Sequence, residues 1–356
     1  MSVAIALSLG AGLHARKRVV SQEQRAGLVR RARVWMPPAT PIEDAQLRHD
    51  PPGPGAFKDS DIVTCRFVLR DVGGNTPKFD CDDRGEVIRV RYGADNAETY
   101  TQIAATRLMS ALGFPADRLY HVADVRCIGC PADPFPGLKC LRAKGSPERC
   151  FPNLDPQHAS DFRDALIERQ LEGQAIETET RRGWSWSELN TIASRDPASR
   201  AHVDALRLIV MFLNDWDTKH DNQRLLCLGA RSDASTCRNP VAMVSDVGAT
   251  FGPNKLNLER WRTSPVWSDA ATCEISMRHL PYQGEGFVDV RISEAGRRFL
   301  ADELRRLSQS QLVDLFEGAR FTAYPKNSEA ARHVGNWVKA FEERTRAITD
   351  RAPCPQ

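Results

Sequence analysis

The sequence lacks an apolar run of membrane-spanning length, a strong excess of charge of either sign and any visible internal repeat. The missing apolar run argues against a transmembrane helix. Its 49 basic and 46 acidic residues give a formal net charge of +3. No basic stripe with interleaved aromatic residues is present, so nothing in the pattern indicates nucleic-acid binding. The 356 residues, 41% of them hydrophobic, suffice for one two-lobed domain or two small ones.

Cysteines, in contrast, are plentiful, and their surroundings favour disulfide bonds. There are ten, and most lie in polar segments rich in glycine and proline, where a cytosolic chain seldom places its thiols. This usage is typical of an oxidising compartment. A zinc site of Cys127, Cys130, Cys140 and Cys150 is the alternative, because the four are closely spaced and no histidine has ligand spacing. We favour disulfides, whose pairing the sequence does not give.

The first 60 residues form a separate N-terminal segment. Residues 2–15 are mildly apolar and end in Leu13-His14-Ala15 before a basic triplet, which resembles a signal-peptide core with its cleavage position. A helical or frayed N-terminus stays open, since a positively charged start is missing. Residues 35–55 are rich in proline and predict a linker or a surface-wrapping arm. With the cysteines, this segment favours a secreted or periplasmic protein, with the cytoplasm as the alternative.

Residues 61–135 predict a small β-rich lobe. The segments IVTCRFVL, EVIRVRY and RLYHVADVRC alternate or are rich in β-branched residues, and they predict strands. AETYTQIAATRLMSALG has apolar residues at helical spacing and ends in Gly113, a favourable residue just after a helix. The expected order is strand, glycine turn, strand, helix, strand.

Residues 136–350 predict a larger, mostly helical lobe. DFRDALIERQLEG predicts a helix, and VDALRLIVMFL predicts a helix that is apolar nearly all round and therefore buried. QRLLCL and VAMVSD predict two short strands. Two further helices are expected in ISEAGRRFLADELRRLS and SEAARHVGNWVKAFEERTRAI. The predicted fold class is α+β.

Two polar motifs follow apolar segments in this half. FLNDWDTKHDN follows the buried helix and carries Asp217, Lys219 and Asn222, while SDVGATFG follows a strand and carries Asp246. Phosphoryl transfer needs a carboxylate near the acceptor hydroxyl, a cation near the phosphoryl group and oxygen ligands for a metal. Either motif alone is better explained as a turn rich in Asp and Asn. The two together, in this order, favour a site that handles phosphate.

The order D-x-K-x-x-N and then D-x-G resembles the catalytic loop and metal-binding motif of the protein-kinase-like superfamily. The closer likeness is to its atypical branches, the phosphatidylinositol kinases, the HipA-type kinases and the secreted-pathway kinases. SPVWSD and ISEAGRRFL also resemble segments of a family of bacterial kinase-like proteins, and the likeness spans about residues 60–320. It implies a two-lobed kinase-like fold with a small β-rich N-lobe, a larger helical C-lobe and the nucleotide between them.

The resemblance also implies roles for the motif residues. Asp217 would be the base or would orient the acceptor hydroxyl, and Lys219 would steady the phosphoryl group. Asn222 and Asp246 would hold Mg²⁺ or Mn²⁺ between the phosphates of ATP, since hard cations prefer oxygen ligands.

The front lobe departs from the pattern of the superfamily. Kinase-like folds place a lysine on a strand and a glutamate on the next helix, but here the strand offers Arg89 and Arg91, both on one face. Arg91 is the better match, and its partner on the helix is either Glu98 or Gln102, one turn apart. A pair between Arg91 and Gln102 would remove the ion pair and put catalysis in doubt.

The loop over the phosphates would contain Gly73 and Gly74, in GGNTPK, with backbone N–H groups as donors. A Gly-Gly turn is also common in ordinary hairpins, so this signal is weak on its own.

The leading hypothesis is a phosphotransferase that uses ATP and Mg²⁺ or Mn²⁺, with a protein, a lipid head group or a small molecule as acceptor. A pseudokinase that binds nucleotide without turnover is the second hypothesis. A secreted, disulfide-braced interaction protein without a nucleotide site is the third. Transfer of AMP instead of phosphate by the same fold is the fourth.

Overall fold

The computed structural model describes residues 19–49, 51–229, 236–281 and 286–355. The apolar stretch at residues 2–15, and with it the predicted signal-peptide core, lies outside these ranges. The strands are β1 Ile62–Val68, β2 Lys78–Asp83, β3 Glu86–Arg91, β4 Arg118–Ile128, β5 Ala159–Arg169, β6 Gly173–Ala175, β7 Gln223–Leu228, β8 Pro240–Val244, β9 Glu274–Ile275 and β10 Val290–Arg291. The α-helices are α1 Gln22–Arg31, α2 Glu98–Ala111, α3 Phe135–Arg142, α4 Pro147–Cys150, α5 Leu189–Ala193, α6 Pro197–Leu213, α7 Leu258–Thr263, α8 Glu294–Arg305, α9 Gln309–Gly318 and α10 Val334–Thr349.

The first five strands close into a barrel in the order β1-β2-β3-β5-β4. Neighbouring strands run antiparallel except β4 and β1, which are parallel and close the barrel. Its interior is filled by buried apolar residues such as Phe79, Val90, Tyr120 and Ile167. With the helices that follow, the predicted α+β class is confirmed. The division into two kinase-like lobes stays a prediction.

The barrel corrects two predictions made from the sequence. The segment predicted as the helix DFRDALIERQLEG contains most of β5, and the predicted end of the β-rich region at residue 135 precedes this strand. β5 pairs with β3 on one side and β4 on the other, so tertiary pairing decides its conformation. Asp164 has φ 51° and interrupts the alternation, so that Ala165, Leu166 and Ile167 are buried in succession. Three consecutive apolar residues break the period-two alternation by which a strand is recognised in a sequence.

Two buried helices, α2 and α6, carry the chain to the candidate site. Almost every residue of α2 is buried, and it packs against β4 and α9. At the start of α6, the Asp196 carboxylate accepts the Ser199 backbone N–H at 2.8 Å, and Pro197 occupies the first turn. Asn214 ends α6 in the left-handed conformation at φ 56°. The chain therefore leaves the helix in a sharp reversal, into the predicted catalytic loop.

The proline-rich segment, in its described part, lies against both α2 and α9. The Trp35 indole N–H donates to the Leu112 carbonyl at 2.7 Å, just past the end of α2. The Gln311 side-chain amide on α9 donates to the Ile42 carbonyl at 2.7 Å. Backbone carbonyls of a segment too rich in proline for regular structure thus find partners in neighbouring elements. These contacts match a surface-wrapping arm better than a free linker.

All ten cysteines are paired, and the four considered for zinc form two separate disulfides. This pairing is typical of proteins in an oxidising compartment. No helix in the described ranges is both long and apolar enough to span a membrane. The pairs are Cys65–Cys81, Cys127–Cys130, Cys140–Cys150, Cys227–Cys237 and Cys273–Cys354.

The Cys273–Cys354 bond should contribute most to stability, because it joins residues 81 positions apart. Cys140–Cys150 joins residues only 10 apart. Loop-closure entropy predicts a loss of about 4.5 kcal/mol when Cys273 and Cys354 are both changed to Ala, and about 2.8 kcal/mol for the same change at Cys140 and Cys150. Urea unfolding without reductant measures both. Equal losses, or a larger one for Cys140 and Cys150, would contradict this ranking.

Candidate active site

Backbone hydrogen bonds hold the two polar motifs side by side. The carbonyl of Asn222, in the first motif, accepts the backbone N–H groups of Ser245 and Asp246, each at 3.1 Å. Further on, the Phe251 N–H donates to the Leu213 carbonyl at 2.7 Å. The strands β7 and β8 lie between the motifs and pair with each other. The hairpin of β7 and β8 therefore brings together the two motifs that the sequence assigned to one site.

The first motif presents a carboxylate and an ammonium together near the surface. The Lys219 ammonium lies 3.0 Å from Asp217 Oδ1, and both side chains are partly exposed. The Asn222 side-chain N–H donates to the Asp217 backbone carbonyl at 2.6 Å. That bond leaves the amide oxygen of Asn222 as its free ligand atom. The Asn222 side chain is thus anchored to the backbone of Asp217.

Asp246 is partly buried and ionised. Its Oδ1 accepts the Gln102 side-chain N–H at 2.9 Å and the Gly248 backbone N–H at 3.3 Å. Burial alone would raise the pKa of this carboxyl, but Arg91, Lys78 and these hydrogen bonds outweigh burial and lower it. A partly buried carboxylate that stays charged at neutral pH is a suitable ligand for a hard divalent cation.

Arg91 pairs with Glu98, which settles the choice of helix partner that the sequence left open. Its Nη1 lies 2.9 Å from Glu98 Oε2, and its Nη2 lies 3.0 Å from Glu168 Oε2 on β5. Gln102 is bonded to Asp246 instead. The ion pair between strand and helix is therefore present, with arginine as its cation.

Arg89 does not join this cluster. Its Nε lies 3.0 Å from Asp80 Oδ1, and Asp80 is directly opposite it on β2. Asp80 is almost fully buried, and its carboxylate binds the Arg89 guanidinium. Of the two arginines on this face of β3, only Arg91 reaches Glu98.

Glu98 links the barrel, the helix α2 and the second motif. Besides Arg91, its carboxylate accepts the Lys255 ammonium at 2.5 Å and the Thr76 hydroxyl at 2.6 Å. Burial opposes ionisation, yet Arg91 and Lys255 lower the pKa of Glu98. Gly248 packs directly on it, since a Cβ at that position would lie 2.8 Å from Glu98 Cγ. Glycine is thus required where the second motif contacts α2.

Two residues near the site were missed in the sequence. Lys78 opens β2 directly opposite Arg91, and it is 4% exposed. Burial and Arg91 lower the pKa of Lys78 to about 8, against the opposite effect of Asp246 and Glu98. The sequence signal was its place at the end of GGNTPK, which was taken only as a loop.

Asp215 is the second missed residue, two positions before Asp217. It is 1% exposed, and burial, Asp246 and Asp217 raise its pKa well above the ordinary value. The nearby backbone N–H of Asp217 lowers the pKa by less than these effects raise it. Burial therefore disfavours the charged form of the Asp215 carboxyl. The pattern Asp-x-Asp was the available signal.

The comparisons with known proteins leave the chemistry open. The sequence matches no family model and no curated protein. Among solved structures it is similar to the Helicobacter pylori proinflammatory kinase CtkA, at 10% identity and a TM-score of 0.44, over 82% of this chain and 95% of that one. A likeness at that score carries no argument about what this chain does.

Glu98→Gln should destabilise the protein by about 3 kcal/mol at pH 7, because it leaves the buried Arg91 guanidinium short of a negative charge. The pKa of Glu98 is lowered on folding, so its contribution is complete above its ordinary value of 4.5 and is lost as pH falls through the lower folded value. The difference in unfolding free energy between wild type and variant should therefore shrink as the pH falls below 4.5.

Urea unfolding at pH 7 and in steps below pH 4.5 makes this measurement. Glu329→Gln is the matched control, because that side chain is 88% exposed. A loss for Glu98→Gln no larger than for the control would show that the buried ion pair does not stabilise the fold.

Proposed function

We propose that this chain is a kinase-like phosphotransferase that uses ATP and Mg²⁺ or Mn²⁺. The observation that supports it best is the position of Asp246, an ionised, partly buried carboxylate bonded to α2 and adjacent to Asn222 of the first motif. A turn rich in polar residues does not need a bond between its carboxylate and a distant helix. The five disulfides favour an exported protein.

The residues present fit a divalent metal. Asp246 keeps one carboxylate oxygen beyond the one bonded to Gln102 and Gly248, and Asn222 offers its amide oxygen. Hard oxygen ligands of this kind suit Mg²⁺ and Mn²⁺. When bound, the metal would neutralise charge on the phosphates of ATP.

The chain's own residues supply the remaining needs of the reaction. Asp217 is partly exposed, so its carboxylate can orient an acceptor hydroxyl and accept its proton. Lys219, 3.0 Å from it, places a positive charge where a phosphoryl group would pass. The Arg91–Glu98 pair fixes α2 against the barrel and thereby the position of Gln102, which orients Asp246.

Gly73 and Gly74 remain the candidate loop over the phosphates. Gly74 has φ +80°, a conformation that favours glycine, and its carbonyl accepts Arg142 Nη1 at 3.3 Å. Thr76, two residues on, donates to Glu98. The loop is thus tied at its far end to the same carboxylate that organises the rest of the site.

A nucleotide-binding module without turnover is the second candidate. The observation that favours it is the arginine at position 91, because a guanidinium held by both Glu98 and Glu168 has little freedom to contact a phosphate. The acceptor (protein, lipid head group or small molecule) is open under either proposal. Intact mass of a modified acceptor would separate transfer of phosphate from transfer of AMP.

Wild-type protein should melt at a higher temperature with ATP and Mn²⁺ or Mg²⁺, by the equivalent of about 2.7 kcal/mol at a hundred times the dissociation constant. Asp246→Asn should lose this shift, because it removes the charged metal ligand. Asp217→Asn should keep the shift but lower turnover by about 10²–10⁴-fold, the usual contribution of a general base. Thermal melting and release of ADP measure the two effects.

The control is Asp302→Asn, whose side chain is 67% exposed on α8 and which should keep both the shift and the turnover. A wild-type shift without turnover would select the nucleotide-binding module. No shift with any nucleotide and metal would overturn the proposal and favour the disulfide-braced interaction protein.

A further inference from the structure

Four basic side chains surround the candidate site, and three of them are already paired with carboxylates. Arg91 binds Glu98 and Glu168. Lys255 binds Glu98 at 2.5 Å. Lys219 is paired with Asp217, with its ammonium 3.0 Å from Asp217 Oδ1. The fourth basic side chain is Lys78.

Lys78 has no such partner among the described residues. Its side chain is buried, yet no described carboxylate lies within ion-pair distance of its ammonium. The charged groups that act on it are Arg91 and Arg89 on β3, Glu98 on α2 and Asp246 after β8. A largely buried ammonium without an ion-pair partner lowers the stability of a fold. Such a cost is expected where a ligand completes the site.

The register of the barrel increases this cost. Lys78 and Arg91 are directly opposite each other on β2 and β3, and like charges at directly opposed positions are destabilising. The carboxylates of Glu98 and Glu168 neutralise Arg91, whereas Lys78 keeps its charge without a direct partner. An anion that binds beside Lys78 would offset both the cost of burying its charge and its repulsion from Arg91.

The Lys78 ammonium also lies directly beside the glycine loop. A Cβ at Gly74 would be 2.7 Å from Lys78 Nζ, so the loop backbone and the ammonium are adjacent. Backbone N–H groups of a glycine-rich turn and a lysine ammonium are the usual donors to nucleotide phosphates. The two kinds of donor meet here at one point.

We propose that Lys78 binds the phosphates of a nucleoside di- or triphosphate, in place of the lysine that kinase-like folds carry at the position of Arg91. The inference rests on the proposed function and names the cation of its nucleotide site. Arg91 then has a structural role as the partner of Glu98 and Glu168. Lys78 contributes the charge that the ligand meets.

The test compares ADP with adenosine on wild type and Lys78→Met, by titration calorimetry in the presence of Mg²⁺. Lys78→Met should weaken ADP binding by about tenfold or more, the effect of losing one hydrogen bond to a charged group. Adenosine carries no phosphate, so its affinity should stay within about twofold. Without ligand, the variant should melt at the same temperature as wild type or higher, because a buried unpaired charge is gone.

Lys78→Gln is a second replacement if the methionine variant fails to fold, and Lys339→Met, an exposed lysine on α10, is the control that should change neither affinity. Unchanged ADP affinity in the Lys78 variants, or an equal loss for ADP and adenosine, would overturn the inference and leave the proposed function standing. Wild-type protein that binds neither ADP nor ATP would overturn the proposed function itself.

Discussion

The buried carboxylate of Glu98 is the interaction on which the candidate site depends. It joins Arg91 of the barrel, Thr76 after the glycine loop and Lys255 after the second motif. Each partner comes from a different part of the chain, so a single charge fixes three segments relative to α2. Because the carboxylate is buried, its removal would leave its cations unsatisfied and not merely weaken a surface contact.

The disulfides and the arm stabilise the surroundings of this network without entering it. Cys227–Cys237 closes the loop between β7 and β8, the strands that connect the two motifs. The arm holds the end of α2 through Trp35 and reaches α9 through Gln311. A chain whose site depends on a few buried charges gains from such external constraints, because the disulfide limits the positions of the connection between the motif strands and the arm limits those of α2.

Sequence reasoning located the two motifs, most strands and the long helices, because local periodicity and residue type determine those features. It missed β5, whose conformation comes from pairing on both edges and whose alternation is broken at Asp164. It could not choose between Glu98 and Gln102, since both lie on one face of α2 and only the position of Asp246 assigns each a partner. Lys78 could not be identified as a site residue from the sequence, because its proposed role depends on neighbours that only the fold brings together.

Diffraction from crystals grown with Mn²⁺ and a non-hydrolysable ATP analogue tests the central claim most directly, since the anomalous signal of manganese locates the metal independently of the protein atoms. The account predicts a manganese peak bonded to oxygens of Asp246 and Asn222, at about 2.1 Å as for comparable hard cations. Ordered analogue density beside Lys78 and the glycine loop should accompany it. Nucleotide and manganese bound elsewhere, or a site that stays empty at saturating concentrations of both, would contradict it.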